Sequence, residues 1–530
     1  MFVVQCFCYL WGVGACSHQI SRKGTQPIVQ MLSRRIFTIT RGKRMRFAST
    51  SAECELTSVR YKIERGPYAE IANHHVDYFR GLLGNRILTD PEECNGYNID
   101  WIKTVRGNSR LVLKPKSSEE ISEILGYCNA NELAVCPQSG NTGLVGGSVP
   151  VFDEIVISMK SMNKIISTNE LSGVITCEAG CVLEDLDNHL EDYGLMMPID
   201  LGAKGSCLIG GNIATNAGGT RLLRYGNLHN AVLGLEAVTA DGTIIDCMNT
   251  LKKDNTGYHL KNLFIGSEGT LGVITKVAIQ CPTRPKAVNL AFLGLDDFGN
   301  VLKTYSLAKE ELGEVLSACE MMDDQAMGIS VDMMGLRNPL GSRNKFYMLI
   351  ETSGSNKTHD EEKLSSFIEK AMNKQFVLDG TLTGDPTKMQ HIWAVRERLG
   401  EGCLLDGYCF KYDVSLPLPH FYNLINALEK RLDMSRVVRI SGFGHLGDGN
   451  LHVVVATPNY DPTIEALLEP FLFQYVSEQK GSVSAEHGIG FKKTKYLSYS
   501  KHQSAIDLMR QIKKAMDPNS ILNPYKLLPN

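Results

Sequence analysis

The chain has 530 residues, of which 43% are hydrophobic and 21% are charged, and its formal net charge at pH 7 is -3. Because a single hydrophobic core stops growing at roughly 250 to 300 residues, this length predicts more than one core. The near-neutral charge excludes a general attraction to nucleic acid or to an anionic membrane surface. We therefore expect no nucleic-acid partner. No apolar run is long enough to predict a transmembrane helix, so we do not expect an integral membrane protein.

Residues 1–52 have the composition of a targeting leader. No acidic residue occurs before Glu53, whereas basic residues are interspersed with serines and threonines: Arg22, Lys23, Arg34, Arg35, Arg41, Lys43, Arg44 and Arg46. A basic, hydroxylated, acid-free leader predicts mitochondrial import, and such a leader could begin at Met31. The competing interpretation is a secretory signal in the uncharged residues 1–16, although this stretch lacks the cationic segment that normally precedes an apolar one.

The elements that follow predict two lobes of an α+β fold. Residues 53–105 are predicted as a helical lead-in, and 106–285 as a first domain that opens with an amphipathic helix over 117–133 and a strand over 134–136. Further strands are predicted over 155–158 and 232–240, and Pro285 marks a linker. A second domain, 286–530, begins with an apolar strand at 287. Its remaining predicted elements are strands over 346–351, 409–414, 437–440 and 451–455 and a helix over 419–432. This pattern indicates an antiparallel sheet with helices on one side.

Three glycine-rich segments in the first domain share one composition. They cover residues 137–148, 209–220 and 264–272, and each mixes glycine with Ser, Thr, Asn or Glu after an apolar run. Glycine lets the backbone approach a ligand closely, and the interleaved polar side chains add donors, which together suit a pyrophosphate. Neither a dinucleotide-binding Gly-x-Gly-x-x-Gly that opens a helix nor a nucleotide P-loop is present. The segments therefore predict one long phosphate-bearing cofactor, the alternative being that the 49 glycines simply mark tight turns.

The 15 cysteines are scattered, and no Cys-x-x-Cys spacing occurs. A disulfide framework, a zinc ribbon or an iron–sulfur cluster needs clustered cysteines. We therefore expect reduced thiols that pack as small apolar side chains.

A second group of residues in the last fifth of the chain is typical of a metal site. His445 and His452 flank a Gly/Asp/Asn turn between two apolar runs, and Glu486 and His487 lie in another glycine-flanked bend. Two imidazoles and one carboxylate are a common ligand set for a catalytic divalent ion such as zinc. Adjacent side chains on an extended or bent backbone point in different directions, so we expect Glu486 to bind the ion and His487 to remain metal-free as a proton acceptor. The alternative is that some of the 13 histidines lie beside glycine by chance.

With these motifs the chain resembles the FAD-linked oxidases of the vanillyl-alcohol oxidase type. The resemblance covers nearly everything after about residue 60. It rests on the segments 137–148, 200–207, 212–219, 224–226, 253–258, 266–272, 351–356, 406–408, 411–413, 444–452, 482–490 and 522–526. It implies that 106–285 form an FAD-binding domain of the PCMH type and that 286–530 form the substrate- and metal-binding C-terminal domain of this family.

The resemblance also implies which residues bind FAD. The pyrophosphate side would comprise Pro137, Ser139, Gly140, Asn141, Thr142, Gly143, Gly146, Gly147 and Ser148. The flavin and ribityl side would comprise Pro198, Asp200, Leu201, Gly205, Ser206, Gly211, Asn212, Thr215, Asn216 and Gly218. The adenine side would comprise Glu268, Gly272, Val273 and Ile274, with Asn523 returning from the end of the chain. Residues 138–141 contain no histidine that could link the flavin covalently, so noncovalent FAD is expected.

For the reaction, the resemblance implies oxidation of D-2-hydroxyglutarate to 2-oxoglutarate. A divalent metal, with zinc expected, would be held by His445, His452 and Glu486, and His487 would take the hydroxyl proton while a hydride passes to FAD. Arg396 and Lys411 would bind the substrate carboxylates. The electrons would pass to electron transfer flavoprotein in the mitochondrial matrix.

Two positions depart from the family pattern, since Gly400 stands where relatives carry threonine and Val454 where they carry asparagine. Each change removes a side-chain hydrogen bond to the substrate, worth roughly 0.5 to 1.5 kcal/mol.

Three alternatives to this function stay open. They are a dehydrogenase of D-lactate or another D-2-hydroxy acid, a non-redox flavin transferase of the alkylglycerone-phosphate synthase type, and a flavoprotein kept for binding alone.

Overall fold

The structure, a computed structural model, describes residues 54–529. The predicted leader lies outside the described residues. Those that are described form three β-sheets of four, five and seven strands with helices packed against them. Within this part of the chain no helix is both long and apolar enough to cross a bilayer.

The first sheet has the strand order β1-β2-β4-β3, with β2 and β3 parallel to β4. Its strands are β1 (Ile87–Leu88), β2 (Val112–Leu113), β3 (Val135–Gln138) and β4 (Ile155–Ser158). The helices of this region are α1 (Thr57–Arg60), α2 (Asn73–Leu83), α3 (Pro91–Asn95) and α4 (Ser118–Ala130). Helix α4 begins after Ser117, whose hydroxyl accepts a hydrogen bond from the Glu120 N–H, as an N-cap should. It ends before the predicted residue 133 because Glu132 adopts a positive φ of 52°.

The second sheet is antiparallel, with the order β5-β6-β9-β7-β8. Its strands are β5 (Ile165–Asn169), β6 (Val174–Glu178), β7 (Val232–Val238), β8 (Ile244–Cys247) and β9 (Val273–Gln280). The helices between them are α5 (Leu183–Glu191), α6 (Ile209–Ala214), α7 (Leu222–Tyr225), α8 (Leu228–Ala231) and α9 (Lys261–Phe264). Val135 and Ile155 of the first sheet share one hydrophobic core with Ile175 and Val277 of the second. The two sheets therefore form one lobe.

The third sheet has seven antiparallel strands in the order β13-β10-β12-β11-β15-β16-β14. They are β10 (Ala287–Leu295), β11 (Leu316–Asp323), β12 (Phe346–Gly354), β13 (Asp379–Thr383), β14 (Tyr408–Ser415), β15 (Arg439–His445) and β16 (Asn450–Thr457). The helices are α10 (Phe298–Leu312), α11 (Asp324–Gly328), α12 (Lys357–Asn373), α13 (Pro386–Glu397), α14 (Leu399–Gly402), α15 (Asn423–Arg431), α16 (Pro462–Leu468), α17 (Phe471–Glu478) and α18 (Gln503–Met516).

The prediction that helices cover one side of this sheet is wrong, because both faces are covered. Ala291 and Leu293 of β10 belong to a core that also contains residues of α10, α12, α15 and α17. Leu290 and Phe292 belong to a second core with residues of α11, α13 and α14. Alternate residues of a strand point to opposite faces, and a continuous apolar strand such as β10 therefore needs cover on both.

The end of the chain returns to the first lobe. Leu522 pairs in parallel with Val135 of β3, and the Asn523 N–H donates to the Val135 carbonyl over 2.8 Å. Ile521 and Leu522 are fully buried in the core of the first lobe. The last described residues thus contribute to the lobe that the first glycine-rich segment also builds.

Candidate active site

A cavity of about 620 Å³ lies where the glycine-rich segments meet. Many of the residues that the sequence predicts for the cofactor line it: Pro137, Ser139, Gly140, Asn141, Thr142, Gly143, Gly147, Ser148, Leu201, Ser206, Gly211, Asn212, Thr215, Glu268, Gly272, Val273 and Ile274. Glu486 and His487 line the same cavity. The structure therefore brings the predicted cofactor residues and part of the predicted metal site to one space.

The wall requires glycine where two segments meet. A Cβ atom at Gly140 would lie 2.5 Å from the Ser206 carbonyl oxygen, and one at Gly211 would lie 2.8 Å from the Ser139 Cβ. Any larger residue would push the segments apart. Asn141, which follows Gly140, has a φ of 55°, and its side-chain amide donates to the Ile99 carbonyl. The first glycine-rich segment is thus fixed by its backbone as well as by its composition.

Seven predicted cofactor residues do not line the cavity, namely Gly146, Pro198, Asp200, Gly205, Asn216, Gly218 and Asn523. Several of them support the wall from behind. The Asp200 carboxylate pairs with Lys204 at 3.1 Å and with Arg221 at 3.5 Å. The Asn523 side-chain amide donates to the carbonyls of Gly147 and Glu268. A motif in the sequence does not separate residues that line a cavity from those that hold its wall.

The strand order brings the two predicted histidines together with two carboxylates that were not predicted. His445 lies at the end of β15 opposite Glu320 of β11, and His452 in β16 lies opposite Asp413 of β14. Because β11, β15, β16 and β14 are consecutive neighbours, the two imidazoles are flanked by a carboxylate on each side. Glu320 and Asp413 were not predicted, because strand order is not apparent from local sequence.

The Glu486 carboxylate connects this cluster to the first lobe. One oxygen, Oε2, accepts a hydrogen bond of 2.8 Å from the Gly219 N–H, which belongs to the second glycine-rich segment. The other oxygen, Oε1, lies 3.8 Å from His445 Nε2, 3.7 Å from His452 Nε2 and 3.7 Å from His487 Nε2. Three imidazole nitrogens thus converge on one carboxylate oxygen.

The expectation that the adjacent Glu486 and His487 point apart is wrong. The Asp413 Oδ2 atom accepts hydrogen bonds from three consecutive backbone N–H groups, those of Ala485 (3.0 Å), Glu486 (3.1 Å) and His487 (3.0 Å). Curling the backbone around one oxygen turns both side chains toward the same point. Asp413, His452, Glu486 and His487 can accordingly offer metal ligands within 4.8 Å of one another. The predicted ligand His445 lies outside this group of four, although its Nε2 atom faces the same Glu486 oxygen.

The buried charges differ sharply between the two strand histidines. Burial opposes charge on His445, but Glu320 and Glu486 outweigh it and raise its pKa to about 10. Burial lowers the pKa of His452 to about 3 despite the attraction of Asp413 and Glu486. Burial also opposes ionisation of Asp413, yet His487, Lys493 and His452 hold the pKa of its carboxyl well below the usual range. The cluster is therefore built around ionised carboxylates.

His487 differs from the other two imidazoles in its access to the cavity. Its side chain is 27% exposed, compared with 10% for His445 and 12% for His452. Of the three, it is the one that lines the cavity. Its Nδ1 atom faces the Asp413 Oδ2 atom at 3.9 Å.

Neither of the predicted substrate cations lines the cavity. Arg396 on α13 pairs with Glu320 at 2.8 Å, and its guanidinium lies over the Phe443 ring at 5.0 Å. Lys411 on β14 donates to the Gly400 carbonyl over 2.7 Å. Its ammonium lies 5.5 Å from the Trp101 ring, and Trp101 and Gly400 both line the cavity. Lys411 thus stands directly behind the wall.

Several residues that line the cavity were not predicted. They include Trp101, Val145, Met159, Ala203, Glu397, Arg398 and Glu401. Trp101 comes from the lead-in region, where no motif indicates it. Of the two positions that depart from the family pattern, Gly400 lines the cavity with no atom within 4 Å of an added Cβ, and Val454 is buried opposite Lys411.

Two family models match this chain. The model described as FAD binding domain matches residues 109–248, and the model described as FAD linked oxidases, C-terminal domain matches residues 284–527. The chain therefore belongs to the FAD-linked oxidases, and FAD is its cofactor. The predicted family and the predicted class of FAD-dependent oxidoreductase are confirmed.

Within this family the chain is similar to enzymes that are named for D-2-hydroxyglutarate. A mitochondrial D-2-hydroxyglutarate dehydrogenase of Rattus norvegicus is 52% identical over 481 residues, which cover 91% of this chain and 90% of the relative. A D-2-hydroxyglutarate–pyruvate transhydrogenase of Saccharomyces cerevisiae is 44% identical over 488 residues, with 89% and 98% covered.

The fold is also found in solved structures. p-Cresol methylhydroxylase with substrate bound superimposes with a TM-score of 0.67 at 15% identity, covering 86% of this chain and 96% of the other. At this identity the likeness concerns the fold alone. It confirms the two-lobed α+β fold of the vanillyl-alcohol oxidase type.

Proposed function

We propose that the protein is an FAD-dependent, metal-assisted dehydrogenase that oxidises D-2-hydroxyglutarate to 2-oxoglutarate in the mitochondrial matrix. The observation that carries this proposal is the position of Glu486. One of its oxygens contacts the Gly219 amide of the second glycine-rich segment, and the other faces three imidazoles. The cavity that we assign to the cofactor and the cluster that could hold a metal ion therefore meet at one side chain.

The cavity suits noncovalent FAD. Its walls are glycine-rich where segments approach within van der Waals distance, and they carry the polar side chains Ser139, Asn141, Thr142 and Thr215. Successive backbone amides and hydroxyls of this kind recognise a pyrophosphate. FAD, when bound, supplies the hydride acceptor for the reaction.

The donor set suits a divalent cation, with zinc favoured. An ion about 2.1 Å from each nitrogen needs neighbouring donors about 3.4 Å apart in a tetrahedron. The distances of 3.7 and 3.8 Å from Glu486 Oε1 to the His452 and His445 Nε2 atoms are within a few tenths of an ångström of this value. We assign His445, His452 and Glu486 as its ligands. The cation would supply Lewis-acid polarisation of the α-hydroxyl.

His487 is assigned as the general base. It lines the cavity, and its Nε2 atom is on the side of Glu486, where the hydroxyl of an acid bound at the cluster would lie. The proton of that hydroxyl would move to Nε2. The Asp413 carboxylate, 3.9 Å from Nδ1, would stabilise the resulting imidazolium.

Arg396 and Lys411 are assigned to the two carboxylates of the substrate. Arg396 is held beside the metal cluster through Glu320, and Lys411 stands behind Gly400 at the cavity wall. A short rotation of the flexible lysine side chain would bring its ammonium to an acid in the cavity. A second cation distinguishes a dicarboxylate from a monocarboxylate such as lactate. The resemblance of the chain to its family supports electron transfer flavoprotein as the electron acceptor.

An anaerobic titration tests the function. D-2-hydroxyglutarate should bleach the oxidised-flavin absorbance of the purified protein, chelation should abolish the bleaching, and zinc should restore it. Bleaching by D-lactate at a higher rate would favour the monocarboxylate alternative. No bleaching by any hydroxy acid after metal restoration would refute the dehydrogenase and leave the transferase or the binding protein.

A further inference from the structure

Glu320 is a buried carboxylate with two charged partners. It lies on β11, one of the central strands of the seven-stranded sheet, and is 1% exposed. Its Oε1 atom is 2.7 Å from His445 Nδ1, and its Oε2 atom is 2.8 Å from an Arg396 nitrogen. One carboxylate therefore contacts both a proposed metal ligand and a proposed substrate cation.

The contact with His445 determines which imidazole nitrogen is free. An ionised carboxylate can only accept a hydrogen bond, so Nδ1 of His445 must carry the hydrogen. Once a metal replaces the second proton of the imidazole, Nε2, which faces Glu486 Oε1, is the nitrogen left to offer a lone pair.

The contact with Arg396 fixes the other end of the substrate site. The guanidinium is held between Glu320 and the face of Phe443, which it approaches to 5.0 Å. Its Nε and Nη2 atoms are buried and make no hydrogen bond among the described residues, and neither does Glu320 Oε2, so the contact between the two side chains is an ion pair without hydrogen-bond geometry. A buried guanidinium that is held by this ion pair and has donors to spare can bind a further anion.

We propose that Glu320 is a positioning residue that orients His445 for the metal and Arg396 for the substrate acid through a single carboxylate. This inference rests on the proposed function, since it takes the metal and the acid from there. It adds that metal affinity and acid recognition depend on the same side chain. A substitution of Glu320 should therefore alter both properties together.

The test compares Glu320→Gln with a matched control, Glu351→Gln. Glu351 lies on the adjacent strand β12, and its carboxylate accepts hydrogen bonds from Ser317 and from Trp393 on α13. It thus has the same sheet and the same helix as neighbours, with uncharged partners. A glutamine at 320 keeps the side-chain volume but can accept from His445 or from Arg396, not from both with a full charge.

The measurement is zinc affinity of the FAD-loaded, metal-stripped protein, by competition with a chromophoric chelator. Glu320→Gln should weaken zinc binding about 10- to 100-fold and raise the KM for D-2-hydroxyglutarate, while FAD content and the metal-free unfolding transition stay near those of Glu351→Gln. Unchanged zinc affinity and KM in a folded Glu320→Gln would overturn the inference. Failure of the unaltered protein to bind zinc would instead refute the proposed metal function.

A second variant covers the case in which Glu320→Gln does not fold. Arg396→Met leaves the Glu320 carboxylate in place but removes the ion pair that holds Oε2. Zinc binding should weaken in this variant too, by a smaller factor, because Glu320 is then held by His445 alone. If zinc affinity stays unchanged in Arg396→Met while Glu320→Gln is unfolded, Glu320 has a structural role and the inference is wrong.

Discussion

The Glu268 carboxylate accepts a hydrogen bond of 2.7 Å from the Gly490 N–H, and its second oxygen accepts one of 2.7 Å from Ile489. Glu268 belongs to the third glycine-rich segment and lines the cavity, whereas residues 489–490 are separated from His487 only by Gly488. The sequence predicts Glu268 on the adenine side of FAD. Both of its oxygens also hold the loop that carries the proposed base.

We predict that Glu268→Gln destabilises this loop. A glutamine has one acceptor oxygen, so one buried N–H of residues 489–490 loses its partner, at a cost of about 1 to 3 kcal/mol. The free energy of unfolding should fall by this amount, and turnover should fall with it. Glu178→Gln is the control, because that carboxylate accepts from a single N–H, that of Lys164, which a glutamine can still satisfy. Equal unfolding curves for the two variants would contradict the prediction.

Two glycines of the same segment should respond differently to alanine. A Cβ at Gly140 meets the Ser206 carbonyl oxygen at 2.5 Å, whereas one at Gly143 meets nothing within 4 Å. Gly140→Ala should therefore lose about 1 to 3 kcal/mol of stability in the FAD-free protein, as overpacking usually does, and Gly143→Ala should lose little. Chemical denaturation of both FAD-free variants checks this. Tolerance of alanine at 140 would mean that the first glycine-rich segment does not contact the backbone at Ser206.

Replacement of Glu486 should separate metal binding from FAD binding. In Glu486→Gln the side-chain oxygen can still accept from Gly219, but the amide nitrogen then faces three imidazoles. Zinc affinity should drop at least about 100-fold, because a charged ligand rather than an outer contact is lost. Zinc content by atomic spectroscopy and FAD content by absorbance should show metal-poor protein with normal flavin. Full zinc occupancy in this variant would exclude Glu486 as a ligand.

The space at Gly400 predicts a change in substrate preference. Gly400 lines the cavity and leaves room for a side chain, and a threonine hydroxyl there could hydrogen-bond a substrate carboxylate. Gly400→Thr should lower the KM for D-2-hydroxyglutarate about 2- to 10-fold, in line with one hydrogen bond of about 0.5 to 1.5 kcal/mol. Gly400→Ala adds the methyl group without the hydroxyl and should leave the KM unchanged. An equal effect of both substitutions would attribute the change to shape.

Stability should depend on pH through Asp323. Burial raises the pKa of this carboxyl to about 7, although it accepts from Ala326, Gly442 and Tyr422. Between about pH 4 and 7 the folded protein thus holds a proton that the unfolded chain has released, so the contribution of Asp323 to stability falls as pH rises. The unfolding free energy of the unaltered protein should therefore fall by a few kcal/mol relative to that of Asp323→Asn as the pH rises from 4 to 7, since each pKa unit is worth about 1.4 kcal/mol. Parallel curves from pH 4 to 7 would contradict it.

Local patterns in the sequence predicted what is local in the structure. The strand at 155–158 has the predicted bounds, and the cavity is lined by residues of all three glycine-rich segments. His445 and His452 face one carboxylate oxygen because a short turn joins their strands, and such a turn is visible in sequence.

The remaining features depend on contacts between distant residues. Glu320 meets His445 because β11 and β15 are neighbours, although 125 positions separate the two residues. Glu486 and His487 were expected to point in different directions. They point to the same side because their backbone curls around the Asp413 carboxylate of β14. Helices on the second face of the large sheet were not predicted, because the pattern of strands and helices along the chain does not show which face of the sheet each helix covers.

The pairing of Leu522 with Val135 makes the first lobe depend on a distant part of the chain. Residues 521–523 complete the lobe behind the first glycine-rich segment, and the Asn523 side chain holds the carbonyls of Gly147 and Glu268. The wall of the cavity therefore depends on contacts between residues 376 positions apart, and a variant without residues 521–523 would have an unfinished cofactor pocket.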